Sequence, residues 1–352
     1  MKKIAFLVAI AACSLGVSAQ NIAKNEVKQL QAFLSQPAQE AATNAEALKV
    51  TDMKTLAGIE GVTVENGHVT AIDWKGKKLA GSLDLSGFPA LQKVDVSRNR
   101  LTSVDLSNDA TVYDVNVSRN RLTSFTITGC PQIVKLSVNN NRLTEISLSD
   151  LAFIKSVNVA GNYLVGLDVT GSSTLETLNC QSNHLESLSV ENCTALKSLY
   201  AGYNKLTNLT LAGLTKLESL NVDDNNIANM LVSNLPSLSF YVCSDNHMQG
   251  LAVNNCPVIL DIVCSYNDLT TFTVNQCPQL QYVDCSYNDL TNLNLSNQTF
   301  LQRLICNNNQ LTTLNVSFDQ ALTYVNCRYN QIVDLNTQAC PNLKMLASEW
   351  NY

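Results

Sequence analysis

The sequence predicts a β-rich solenoid, 13 coils of 21 residues stacked behind a small helical N-terminal cap. Three observations carry that reading. Asn recurs at 99, 120, 141, 162, 183, 204, 225, 246, 267, 288, 309, 330 and 351, every 21 residues without a slip. Each unit holds two segments in which apolar residues alternate at period two, the mark of half-buried strands. Turn formers such as Asn255-Cys256-Pro257, Gln276-Cys277-Pro278 and Ala339-Cys340-Pro341 lie between the segments.

At the N-terminus, Met1-Lys2-Lys3 precedes an apolar run from Ile4 to about Val17, and Val17-Ser18-Ala19 before Gln20 is a small-x-small cleavage pattern. Residues 1–19 therefore read as a secretory signal peptide, and the protein as exported, either secreted or held at the cell surface or outer membrane. Ile10-Ala11-Ala12-Cys13 also fits a lipobox, the alternative in which Cys13 becomes a lipidated N-terminus; the apolar run continuing past Cys13 favours the later site. No other run of 18 apolar residues occurs, so no later segment is expected to span a membrane. Loss of Lys2 and Lys3 with the leader moves the formal charge from -6 to -8. So acidic a chain is a poor general partner for nucleic acid or an anionic membrane.

Counted from two residues after each Asn, the units run 80–100, 101–121 and onward to 332–352. Apolar residues fall at positions 1, 4, 6, 12, 15 and 17, as in Leu269, Phe272, Val274, Leu280, Val283 and Cys285. A unit this short cannot bury those positions alone, whereas stacked copies set each Leu on the same Leu of the next coil. At roughly 4.8 Å per coil, the stack spans on the order of 60 Å. The recurring Asn is expected to point inward at a bend, its amide satisfying buried backbone groups.

Over residues 80–352 this pattern resembles the leucine-rich repeat, in the short bacterial 21-residue type sometimes called IRREKO. The resemblance implies a fold and a binding role, and leaves the ligand open. On it, residues 20–79 are expected to form a helical capping region: Glu26, Val27, Leu30, Phe33 and Leu34, then Ala45 to Leu48, are spaced for short helices around Pro37. Gly61-Val62-Thr63-Val64, Gly67 to Trp74 and Leu79-Ala80-Gly81 resemble the segment that leads into a first coil. At the other end Glu349, Trp350 and Tyr352 are expected to shield the last coil.

Twelve cysteines in an exported chain would ordinarily mean disulfides. Their places in the repeat argue otherwise. Cys180, Cys243, Cys264, Cys285, Cys306 and Cys327 share position 17 with core valines, and Cys130, Cys193, Cys256, Cys277 and Cys340 share position 9 in the turn. Free, buried thiols are expected. His184 and His247 lie three coils apart and cannot share a ligand, and the same-column acids Asp224 with Asp245 and Asp268 with Asp289 read as solvated surface charges rather than a calcium site. Neither a metal nor a cofactor is implied. The sequence lacks a nucleophile elbow, a phosphate loop and a zinc-binding helix, which argues against an enzyme.

The outward columns are the candidate binding residues, since positions 14 and 16 alternate with the core and positions 18, 19 and 21 flank the Asn. Tyr203, Tyr266, Tyr287, Tyr329 and Trp350 fall at position 19, Phe240, Tyr282 and Tyr324 at position 14, and Tyr200 at position 16; Arg98, Arg119 and Arg121 mark the first coils. Large amphipathic rings in a row suit protein hot spots and also sugar stacking. The expectation is a binding protein that engages a host or bacterial surface protein. A glycan held by the tyrosine ladder, or self-assembly through the last coil, stands as the alternative.

Overall fold

The structure, a computed structural model, describes residues 22–149, 151–295, 298–316, 320–337 and 340–351. Residues 1–19, expected from the sequence to be a leader, with Cys13 among them, and Tyr352 lie outside the described residues.

The chain opens with helix α1 (Lys24–Leu34) and the short α2 (Asn44–Ala47), followed by strands β1 (Val62–Glu65) and β2 (His68–Asp73). Leu30, Phe33 and Leu34 form the buried face of α1. β1 and β2 are antiparallel and turn at Asn66-Gly67, both with positive φ, as a tight hairpin turn requires. β2 then pairs in parallel with Lys93–Asp95 of the first coil, so the hairpin covers the first edge of the main sheet. Behind it Trp74 is fully buried, donating its indole N–H to the Glu60 carbonyl at 2.9 Å and stacking on Phe33 at 5.7 Å. The buried carboxylate of Glu26 is held by His68 Nδ1 at 2.8 Å and the Val69 N–H at 2.9 Å, so a charge taken from water keeps its partners.

Each coil then gives positions 14–16 to one 15-stranded sheet, parallel throughout except for the antiparallel hairpin at its first edge. Pairing is in register, residue i with residue i+21, as in Tyr282 with Arg303 and Arg303 with Tyr324. Position 15 faces the core: of Tyr282, Val283 and Asp284, only Val283 is buried. The opposite side, at positions 3–7, pairs discontinuously, in groups such as Val232–Ser233, Gly250–Asn254 and Thr271–Asn275. The solenoid of 13 coils is thus the one the periodicity predicts. The first coil carries one extra residue: Leu79 takes the place that Leu101 holds in the next coil, and the register shifts between Gly81 and Ser82 to absorb it.

The Asn at position 20 holds each coil to its neighbour. Asn225 accepts the Leu206 N–H at 2.9 Å and donates at 3.1 Å to the carbonyls of Val222, in its own coil, and Ala201, in the coil before. The same three bonds recur from Asn99 to Asn351, the Trp74 carbonyl serving as the first partner at Asn99. One side chain thereby satisfies three main-chain groups at a bend that neither sheet reaches.

All eleven described cysteines are buried, and they are thiols rather than halves of a disulfide. Cys243, Cys264, Cys285, Cys306 and Cys327 stand on five consecutive coils, filling the core where earlier coils have valine. Burial pushes the Cys180 and Cys243 thiols up to about 12, which keeps them protonated and unreactive. At position 9 the thiols of Cys130, Cys193 and Cys340 donate to the position-6 carbonyl of the preceding coil at 2.9 to 3.2 Å. No group of His, Cys, Asp and Glu able to hold a metal occurs among the described residues, and no helix there is long and apolar enough to cross a membrane.

Candidate binding face

The in-register sheet converts a column in the sequence into a row of neighbours on the surface, one coil spacing of about 4.8 Å apart. Along that surface the outward positions change character at coil 8. In coils 1–7 position 14 carries Lys93, Asp114, Lys135, Ser156, Thr177, Ser198 and Ser219; from coil 8 on it carries Phe240, Asp261, Tyr282, Arg303, Tyr324 and Met345. Position 16 shifts in the same place, from mainly Asn and Ser to the half-buried Val242, Val263 and Ile305 and the buried Ala347, with Asp284 and Asn326 still polar. The aliphatic half of this change was missed by attention to aromatic rings alone. Its signal was present in the sequence: apolar residues at both 14 and 16, where alternation calls for polar ones.

Within this face the Arg303 guanidinium lies between two rings, 5.6 Å from the centre of Tyr282 and 4.7 Å from that of Tyr324. The cation fills the gap between aromatics two coils apart and makes the column continuous. Asp261 sits between Phe240 and Tyr282, and burial holds its carboxyl above the usual range. Beside this column, at position 19, Tyr266 and Tyr287 stack at 4.3 Å and Tyr329 and Trp350 at 5.8 Å, with interplanar angles of 8° and 2°. Arg328 and Glu349 form a bidentate pair along the same rim.

Position 19 has a feature that the columns alone did not reveal. Its backbone is left-handed in all 13 coils, with φ between 49° and 65°. Asn140, Gly161 and Asn308 are residues that accept that conformation readily; Tyr203, Tyr266, Tyr287, Tyr329 and Trp350 are not. A side chain with a Cβ there costs roughly 1 kcal/mol or more relative to glycine. Five large rings stand at this unfavourable position, and four of them are stacked in pairs at the surface.

The structure therefore brings Phe240, Tyr266, Tyr282, Tyr287, Tyr324, Tyr329 and Trp350 onto one stretch of coils 8–13. It separates the rest. Tyr200 has Asn179 and Asn221 as its strand neighbours, and Tyr203 is followed in its column by Asp224. Arg98, Arg119 and Arg121 lie in coils 1 and 2, on the order of 30 Å along the stack from Tyr266. A hollow of about 880 Å³ opens on the opposite side, where Leu231 stands 71% exposed beside the small Gly250 and Ala252.

No protein-family model and no curated protein matches the chain. Solved structures do. The functional domain of InlJ from Listeria monocytogenes, described as including a cysteine ladder, is 23% identical over 79% of this chain and 67% of its own, with a TM-score of 0.58. YopM, a leucine-rich effector protein of Yersinia pestis, is 24% identical over 80% and 83%, with a TM-score of 0.62. An internalin of Listeria monocytogenes is 18% identical over 96% and 94%, with a TM-score of 0.61. These likenesses establish the leucine-rich-repeat fold.

Proposed function

We propose that the protein is an exported binding scaffold, with residues 1–19 as leader, 20–79 as cap and 80–352 as solenoid, that captures a host or bacterial surface protein on the outward face of coils 8–13. The observation that carries the reading is that both outward strand positions gain aromatic and aliphatic residues from coil 8 on, among which Asp261, Asp284, Arg303 and Asn326 remain, beside rings kept at left-handed backbone. A mixed face of rings, aliphatic groups and an arginine, with the Arg328–Glu349 pair on its rim, is what a protein partner's hot spot needs. The stacking favours protein over a neutral glycan: rings 4.3 Å apart cover one another's faces and present edges and hydroxyls outward.

The test is a binding screen of the purified protein against immobilised extracellular and bacterial surface proteins, with glycans alongside. The Tyr282→Ala/Tyr324→Ala variant is expected to lose about 100-fold in affinity for a protein hit, the loss of one good hot spot or more. A protein hit that the variant binds as well as the parent would place the site elsewhere, and a glycan hit that the variant loses would replace this reading with sugar binding.

A further inference from the structure

The arginines of the first three coils form a feature of their own. Arg98 and Arg119 occupy position 19, and Arg100, Arg121 and Arg142 position 21. All five are exposed, and although each backbone N–H bonds within the ladder, none of the guanidinium groups has a hydrogen-bond partner or a carboxylate within 4.0 Å among the described residues. Lys77, Lys197 and Arg328 do pair, with Glu60, Glu176 and Glu349, and Arg303 lies between two rings; the unpaired cations elsewhere are lysines such as Lys135, Lys205 and Lys216, so these five are the arginines whose guanidinium groups stand without a partner among the described residues.

Two penalties fall on these residues. In-register stacking sets like charges side by side, one coil spacing of about 5 Å apart, where they repel. At Arg98 and Arg119 the backbone is also left-handed, with φ of 58° and 56°, whereas the next coil has the better suited Asn140. No carboxylate among the described residues pairs with these guanidinium groups, which leaves them open to an anion from outside. Position 2, on the far side of the Arg100 column, carries exposed Thr102, Thr123 and Thr144, and so borders the grid with hydroxyls.

We propose that this edge binds a linear anionic polysaccharide, its sulfate or carboxylate groups gripped by successive guanidinium groups along the stack. Each guanidinium presents a fork of donors that fits an oxyanion through two parallel hydrogen bonds. A chain with acidic groups at regular intervals matches donors repeated at every coil. No apolar side chain or ring stands in these two columns over coils 1–3, which sets the partner apart from a bilayer, a protein hot spot or stacked bases.

The experiment is fluorescence anisotropy of the purified protein with a labelled heparin octasaccharide and a labelled oligogalacturonide, alongside single-stranded DNA and phosphatidylglycerol vesicles. At least one saccharide is expected to bind, and to weaken tenfold or more as salt rises from about 50 to about 200 mM. Arg100→Gln/Arg121→Gln/Arg142→Gln should weaken it at least tenfold again. Arg98→Asn/Arg119→Asn, which suits the left-handed backbone, should weaken it without lowering the melting temperature, and Tyr282→Ala/Tyr324→Ala should leave it unchanged. No saccharide binding at about 50 mM salt, binding that survives both arginine variants, or tighter binding of DNA or vesicles would each overturn the proposal.

Discussion

Asn225→Ala is expected to lower the stability of the protein by about 3 kcal/mol and to divide its unfolding into two steps. The alanine leaves the Leu206 N–H buried without its partner and removes one of the two amide donors of the Ala201 and Val222 carbonyls, which keep Asn204 and Asn246. The orphaned N–H costs on the order of 1 kcal/mol or more once desolvated, and each lost carbonyl bond about 1 kcal/mol further. The position matters as much as the bond count. Each coil contacts only its neighbours, so a weakened junction at coil 7 uncouples the blocks on either side of it. Urea denaturation followed by circular dichroism should show one transition in the parent and two in the variant. Asn351→Ala, made in the half-buried last coil, should change the midpoint little. A single transition within 1 kcal/mol of the parent for Asn225→Ala would mean that the amide ladder is not what couples the coils.

Asp109→Asn is expected to stabilise the protein, and more so as pH rises. Asp109 sits at position 9, where other coils bury Phe88, Cys130 or Leu151, and it is itself fully buried. One carboxyl oxygen accepts the Phe88 N–H at 2.7 Å; the other has no hydrogen-bond partner. Burial, with Asp105 and Asp84 nearby, pushes its pKa up to about 8. The unfolded chain gives up this proton near pH 4. Between about pH 4 and 8 the folded state therefore binds more protons, and stability is greatest below that window and falls as pH rises through it. By pH 7 the deficit is on the order of 4 kcal/mol. Melting curves from pH 4 to 8 should fall more steeply for the parent than for Asp109→Asn, and parallel curves would show that this carboxyl is not the titrating group.

What was legible in the sequence follows from what is periodic. The inward Asn, the apolar ladders and the thiols of the core announce themselves because each coil repeats the same physical demand at the same place. Departures from the period were harder to read. The extra residue of coil 1 hides because Leu79 and Ala80 are both apolar, and only the Asn99 side chain reveals which of them lies in the ladder. Asp109 looks like a turn acid beside Asn108 until position 9 is known to be interior. The left-handed backbone at position 19 left a trace in Asn140, Gly161 and Asn308, diluted by the rings and arginines that share the column. The binding face was visible as aromatic columns; that its rings pair with one another, and that Arg303 joins Tyr282 to Tyr324, depends on side-chain directions that spacing does not encode.

The amide ladder and the sheet have a further consequence when the molecule is put under tension. Every hydrogen bond that joins one coil to the next, such as Val222 N–H to the Val242 carbonyl at 2.9 Å, points along the stack. A pull along that direction loads the bonds of one junction at a time, as a zip is loaded, instead of shearing the whole sheet at once. Each coil that opens pays out 21 residues, about 70 Å of extended chain. Between an anchored end and a captured partner the solenoid would act as a reel, lengthening in equal increments at modest load while the coils still closed keep hold of the ligand. A force–extension trace should be a sawtooth of regular steps, and one abrupt release of the full length would rule out that behaviour.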